Sequence, residues 1–220
     1  MPISKTPYPI PAKEVRNEIR VANSRFIASL ARAGTIEEAK MFINRIKAEF
    51  ADATHNVPIF LIGHGDSVTA HCSDDGEPSG TAGRPALAVL QGSALGDVAI
   101  VITRYFGGTK LGTGGLVRAY SDAVRAVLEK VDRSMRVMTD TVLLAFPYTY
   151  LGRIRRIASA CDSVILHEDF GVDVTVTARL RVEDSSAFMA QVVELTSETV
   201  MAEIFETTEV VMPWPVPKYK

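Results

Sequence analysis

The chain has 220 residues, 47% hydrophobic and 23% charged, enough to bury roughly 70% of the surface its unfolded form exposes, in one large core or two modest ones. Its formal net charge of −2 excludes a protein that coats nucleic acid through bulk positive charge; any RNA contact is left to a local patch, and no DNA binding is expected. No apolar run approaches the roughly 20 residues that cross a bilayer, Met1–Arg20 carries Pro and charge where a secretory signal has an apolar core, and Cys72 and Cys161 have neither disulfide-framework nor zinc-ligand spacing. The expectation is a cytoplasmic protein with reduced thiols and no membrane partner.

In chain order, Arg25–Leu30 reads as a strand. Thr35 then stands as an N-cap with Glu38 three residues on, a capping-box signal. Ala39, Phe42, Ile43, Ile46 and Phe50 recur at helical spacing, with Lys40, Arg45, Lys47 and Glu49 on the opposite face. Val57–Ile62 is a buried strand closed by Gly63-His64-Gly65-Asp66, and a second strand leads into His71. Pro85 suits the first turn of a helix to about Leu90, ended by Gly92 or Gly96. Asp97–Tyr105 is a Val- and Ile-rich strand; Phe106–Gly115 breaks regular structure, and a helix follows from Leu116 to about Val131. The first domain, residues 1–133, is thus mixed α and β.

The periodicity lapses between Asp132 and Asp140, the best place for a linker. In the second domain, 134–220, Val142–Tyr148 is a strand, Tyr150–Cys161 a helix, and Val164–Phe170 a strand. Val172–Arg181 alternates apolar and polar residues like a strand buried on one side. With a helix at Ser185–Ser197 and a strand at Ala202–Val211, the order is βαββαβ, the ferredoxin-like arrangement. The tail Pro213-Trp214-Pro215-Val216-Pro217 cannot extend a sheet interior. The fold class is α+β.

Two stretches are candidates for chemistry. The first, Ser73-Asp74-Asp75-Gly76-Glu77-Pro78-Ser79-Gly80-Thr81-Ala82-Gly83-Arg84-Pro85, is too polar and turn-rich for core. Either Asp74, Asp75 and Glu77 hold a hard cation or a basic partner, or the side chains only cap the helix at Pro85; no defined cation-loop pattern is matched. The second runs Arg104-Tyr105-Phe106-Gly107-Gly108-Thr109-Lys110-Leu111-Gly112-Thr113-Gly114-Gly115. Backbone N–H groups at the start of the following helix, around Gly112, Gly114 and Gly115, suit an anion, with Arg104, Lys110 and Arg118 adding charge. Close packing between strand and helix is the competing explanation of the glycines. The loop lacks the Walker spacing, and Val117 stands where a dinucleotide fingerprint needs its third glycine, so nucleotide hydrolysis is disfavoured.

His55, His64, His71 and His167 form no helical metal-ligand pair, so no metal or other cofactor is expected. His71 beside Cys72 is the one nucleophile–base neighbourhood, and its alternative is a structural thiol. No catalytic residue is assigned. Arg153, Arg155 and Arg156 lie on the exposed side of a helix, either reaching phosphates or only facing water.

Residues 73–85 and the run from Arg104 through Leu116-Val117-Arg118-Ala119-Tyr120 closely resemble the two signatures of the YigZ/IMPACT family. Asp74, Asp75, Gly76, Glu77, Pro78, Gly80, Thr81 and Gly83 carry the first of these likenesses. Ser24-Arg25-Phe26 and Ala53-Thr54-His55-Asn56 resemble weaker family landmarks. The resemblance implies a first domain similar to the second domain of a small-subunit ribosomal protein and to domain IV of elongation factor G, and a second domain like domain V of that factor. It implies a translation-associated regulatory or binding protein with RNA, the ribosome or a translation factor as partner, and it attaches no firm catalytic activity. Eukaryotic relatives carry an additional N-terminal RWD domain, and this chain begins almost directly with the shared domain. The alternatives are a divalent-cation-dependent hydrolase using Asp74, Asp75 and Glu77, and a purely protein-binding regulator.

Overall fold

The computed structural model describes residues 8–64, 68–197 and 199–213. The chain is an α+β protein of two compact units, the first ending at Met135 and the second beginning at Arg136.

In the first unit, β2 (Val15–Val21), β3 (Ser24–Arg32), β4 (His55–Ile62), β5 (Thr69–Cys72) and β6 (Val98–Tyr105) form an antiparallel sheet in the order β2-β3-β6-β4-β5. Helix α1 (Ile36–Glu49) covers one face through Ala39, Phe42, Ile43 and Ile46, which pack on Phe60, Ile62, Ala99 and Val101. Helices α2 (Gly83–Gln91) and α3 (Gly112–Leu128) cover the other, against Ile59, Leu61, Ile100 and Ile102. Strands β4 and β6 are therefore buried on both faces, which is why they are near-continuous apolar runs rather than alternating ones. A short strand β1 (Pro9–Pro11) pairs with Arg133–Met135.

Local chemistry sets the element ends. Thr35 Oγ1 accepts the Glu38 N–H, as the capping-box spacing predicts, while the Glu38 carboxylate reaches one residue past the N-cap to accept from Gly34 N. Ala22 and Asn23 both have positive φ (45° and 67°), the two-residue turn that suits the twist of the β2–β3 hairpin. Pro85 sits in the first turn of α2, and Gly92 caps its C-terminus.

In the second unit, strand β7 (Arg133–Phe146) is central to a sheet ordered β7-β9-β8, with β10 (Ala202–Pro213) on the other side of β7. Helices α4 (Leu151–Ala160) and α5 (Val182–Leu195) share one face. There Ile154, Ala158, Phe188 and Val192 pack on Val142, Leu144 and Phe146 of β7 and on Val174, Val176, Ala178 and Leu180 of β9 (Val174–Arg181). Strand β8 (Val164–Phe170) pairs antiparallel with β9.

The structure departs from the sequence reading in several places. Segment 132–140 holds the boundary between the units but is strand rather than irregular chain, because β7 starts at Arg133 and runs unbroken. Its buried polar groups find partners on β10: Thr139 Oγ1 donates to Thr208 O and Thr207 Oγ1 to Asp140 Oδ1. Helix α3 starts at Gly112, about one turn earlier than expected, so the glycines at 112, 114 and 115 belong to its first turn. Strand β9 starts at Val174, since Val172 is 99% exposed in the preceding turn. Strands β1 and β2 are absent from the sequence reading. The turn residues Gly65 and Asp66 and the tail from Trp214 onward lie outside the described residues.

Candidate functional site

The acidic loop places three carboxylates in three different settings. Asp74 turns back on its own loop: Oδ2 accepts from Gly80 N at 2.8 Å, and Oδ1 from Ala82 N at 3.1 Å and Gly83 N at 2.8 Å. It thereby caps α2, whose N-cap residue, Ala82, has no capping side chain. Desolvation alone would raise its pKa, but the three N–H donors outweigh it and hold the carboxyl below the usual range. Thr81 closes the same turn by donating to Pro78 O. Gly83 is required by space, because a Cβ there would lie 2.7 Å from Ser73 O.

Asp75 and Gly76 take positive φ (46° and 86°) and redirect the chain toward the start of β4. Asp75 Oδ2 accepts the Asn56 N–H at 2.6 Å, and Oδ1 pairs with Lys47 of α1. Burial pushes this carboxyl up, while Lys47 and the Asn56 N–H pull it further down, for a net lowering. Its backbone carbonyl accepts from His55 Nδ1 at 2.8 Å, and Nε2 of the same ring faces Glu77 Oε2 at 3.8 Å.

Glu77 goes inward, its side chain 2% exposed. Oε1 accepts from Arg104 Nη1 at 2.6 Å and from the Tyr120 hydroxyl at 2.7 Å. The Arg104 guanidinium lies near the rings of Phe26 and Phe106, 5.5 and 5.6 Å from their centroids, and the Phe26 ring meets Tyr120 edge-on. Burial first, and the Glu77 carboxylate second, push the Tyr120 hydroxyl far above its ordinary pKa, so it stays a donor. Thr103 Oγ1 donates to Asn56 Oδ1 beside this cluster. The acidic and glycine-rich stretches therefore meet through one buried triad, Glu77–Arg104–Tyr120.

The glycine-rich stretch is anchored at its start. Phe106 N donates to Thr54 Oγ1 and Gly107 N to Ser24 Oγ. Gly107 presses on the β2–β3 turn so closely that a Cβ would fall 2.1 Å from Asn23 C. Beyond it the loop opens. Gly108, Gly112 and Gly114 have nothing within 4 Å of a notional Cβ, and α3 begins with neither a capping side chain nor an acid in its first turn. Lys110 and Arg118 are exposed and make no ion pair among the described residues.

The expected anion cluster thus divides: Arg104 is buried and committed to Glu77, while Lys110, Gly112, Gly114 and Arg118 face outward. In the second unit, Arg155 forms a two-pronged pair with Glu168, Arg153 lies near the Tyr150 ring, and Arg156 is exposed. His71 and Cys72 are adjacent on β5 and so point to opposite faces, with His71 stacked on Phe60. Among the described residues, no group of three or more His, Cys, Asp or Glu is gathered to hold a metal ion. No helix among them is long and apolar enough to cross a membrane. Sequence reasoning missed Tyr120 as a polar partner. Its one signal was a hydroxyl on an otherwise apolar helix stripe.

An antiparallel sheet flanked by helices on both faces, locked by a Glu–Arg–Tyr triad at the junction of two glycine-rich motifs, defines the class of the first unit. The model of the Impact N-terminal domain matches residues 22–128, and that of DUF1949, a domain of unknown function, matches 144–198. The chain is 38% identical to the IMPACT family member YvyE of Bacillus subtilis over 82% of this chain and 83% of that protein. It is 36% identical to YigZ of Escherichia coli over 84% and 91%. A crystal structure of a hypothetical protein, 34% identical, superposes with a TM-score of 0.60 over 91% of this chain and 98% of that one. This chain belongs to the YigZ/IMPACT family.

Proposed function

We propose that the protein is a cytoplasmic, translation-associated binding factor whose first unit offers the Lys110–Arg118 surface to phosphate groups of RNA. The observation that carries this reading is the uncapped start of α3. Its first-turn N–H groups stand beside exposed Lys110 in a loop with open space around Gly108, Gly112 and Gly114, and such a helix start favours anions. Exposed Phe106 adds a ring face on which a base can stack. Family membership supports a translation-linked partner, through the likeness to elongation factor G domain IV that the signatures imply. The strand order β10-β7-β9-β8 with both helices on one face supports reading the second unit as ferredoxin-like, with Arg153 and Arg156 as its candidate phosphate contacts.

The geometry disfavours the hydrolase alternative. Asp74 serves three backbone N–H groups, Asp75 serves Lys47 and Asn56, and Glu77 serves Arg104 and Tyr120. The three carboxylates are not directed at a common point where one cation could be held.

The test is cosedimentation with ribosomes and RNA binding across a salt series. Affinity should fall with rising salt, with a slope of roughly −0.7 per phosphate contact on single-stranded RNA, and Lys110→Glu should reduce that slope by about one contact. Salt-independent or absent binding would sink the proposal.

A further inference from the structure

Helices α2 and α3 lie side by side on one face of the first sheet. An open groove runs between them, its floor built by Val89 of α2 and by Val117 and Leu128 of α3. Ala88, Gly92 and Ser121 line it with no side chain longer than one heavy atom beyond Cβ, which leaves room between the helices. Its edge carries three guanidinium groups, Arg84, Arg125 and Arg133, against one carboxylate, Glu129. Among the described residues Arg125 pairs with Asp122 on its own helix, an exposed pair of a kind that contributes little, and Arg84 lies near enough to Asp74 to help lower its pKa. In a chain of net charge −2, this groove has the opposite sign.

We propose that the α2–α3 groove docks an acidic amphipathic helix from a partner protein. Apolar side chains at i, i+3 or i+4, and i+7 would lie on the Val89–Val117–Leu128 floor, and carboxylates would face Arg84, Arg125 and Arg133. Charge complementarity selects the acidic partner. The walls select a helix: both are helices whose backbone groups are bonded internally, so no sheet edge is available for an added strand, while a third helix packs into the furrow between two. RNA is the poorer fit, because no groove residue is aromatic and the floor is aliphatic. This proposal does not depend on the phosphate-binding role proposed above.

The probe is a fluorescein-labelled synthetic helix of about five turns with Leu at helical spacing and Glu on the opposite face. Its anisotropy is titrated with the full chain beside a scrambled isomer and a version with Lys replacing Glu. The Leu/Glu helix should bind at least about tenfold more tightly than either control. The variant Ala88→Trp, which fills the groove, and the pair Arg84→Glu with Arg125→Glu should each weaken it about tenfold. On the unaltered chain, the amide signals of Val89, Val117 and Leu128 should move on peptide addition, which tests the site without any substitution. Equal affinity for the three peptides, signal changes confined elsewhere, or indifference to both variants would overturn the proposal. So would a groove that takes only oligouridylate, or one that only joins two copies of this chain by sedimentation.

Discussion

The two glycine-rich stretches look alike in sequence and behave oppositely in the fold. In Ser73–Pro85 every carboxylate turns inward or back on the loop, and each has named partners. In Phe106–Gly115 the first residues are bolted to Ser24 and Thr54, and the remainder is left open. The lesson is that carboxylate density marks a structural keystone, whereas the backbone donors left without side-chain caps lie in the outer half of the second stretch. A substitution in the first loop should therefore damage folding, and one in the outer half of the second should damage binding alone.

The largest expected effect is at the triad. Glu77→Ala removes the counter-charge from a guanidinium whose side chain is 6% exposed, and breaking a buried pair from one side costs about 3–5 kcal/mol. Urea unfolding should show that loss for Glu77→Ala and a similar one for Arg104→Ala. The joint replacement Glu77→Leu with Arg104→Met should lose much less than the sum, since it leaves no orphaned charge. Additive losses would mean the triad is not one unit. Next is Gly107→Ala, whose Cβ would fall 2.1 Å from Asn23 C; forcing strand, turn and loop apart should cost about 2 kcal/mol or more. It would show that the second stretch is structural only at its inner end.

A smaller effect belongs to Asp74 and is tied to pH. Both Asp74 and Asp75 have folded-state pKa values lowered from the usual carboxylate range. Below roughly pH 4 the unfolded chain takes up protons first, so this contribution is fully present above that pH and drains away as pH falls through the folded-state values. Asp74→Ala should cost about 1–2 kcal/mol at neutral pH, as a lost helix cap does, and should flatten the acid limb of stability against pH. An unchanged acid limb would remove Asp74 from the account.

The sequence made local features readable and long-range pairings unreadable. Helix α1 was readable because Thr35, Glu38 and the apolar stripe all lie within one element, and β9 because its alternation shows one-sided burial. Strand β2, Val-Arg-Asn-Glu-Ile-Arg-Val, was not, since as an edge strand with only half-buried apolar positions it has little apolar signal. The start of β7 was hidden because Thr139 and Asp140 are satisfied by residues more than sixty positions away. Helix α3 begins on glycines that intrinsic propensity assigns to loop, and packing of Leu116, Ala119 and Tyr120 overrides that preference. At the site, the motifs were recognisable but their directions were not. A Glu is exposed by default, and only the fold brings Arg104 and Tyr120 to Glu77.

The smallest effect on stability is also the one that separates the two stretches most cleanly. Gly114 lies in the first turn of α3 without positive φ, and a Cβ there meets nothing within 4 Å. If the glycine had only a folding role, Ala should be at least as good, and Gly114→Ala should raise stability by a few tenths to about 1 kcal/mol. Close backbone approach to a phosphate gives the opposite sign for binding, because the added methyl stands where the ligand would sit. The expected outcome is a chain as stable as the parent or slightly more so, with RNA affinity reduced. Thermal unfolding and an RNA titration on the same sample measure both. Unchanged RNA affinity in this variant and in Lys110→Glu would leave the open half of the loop without a binding role.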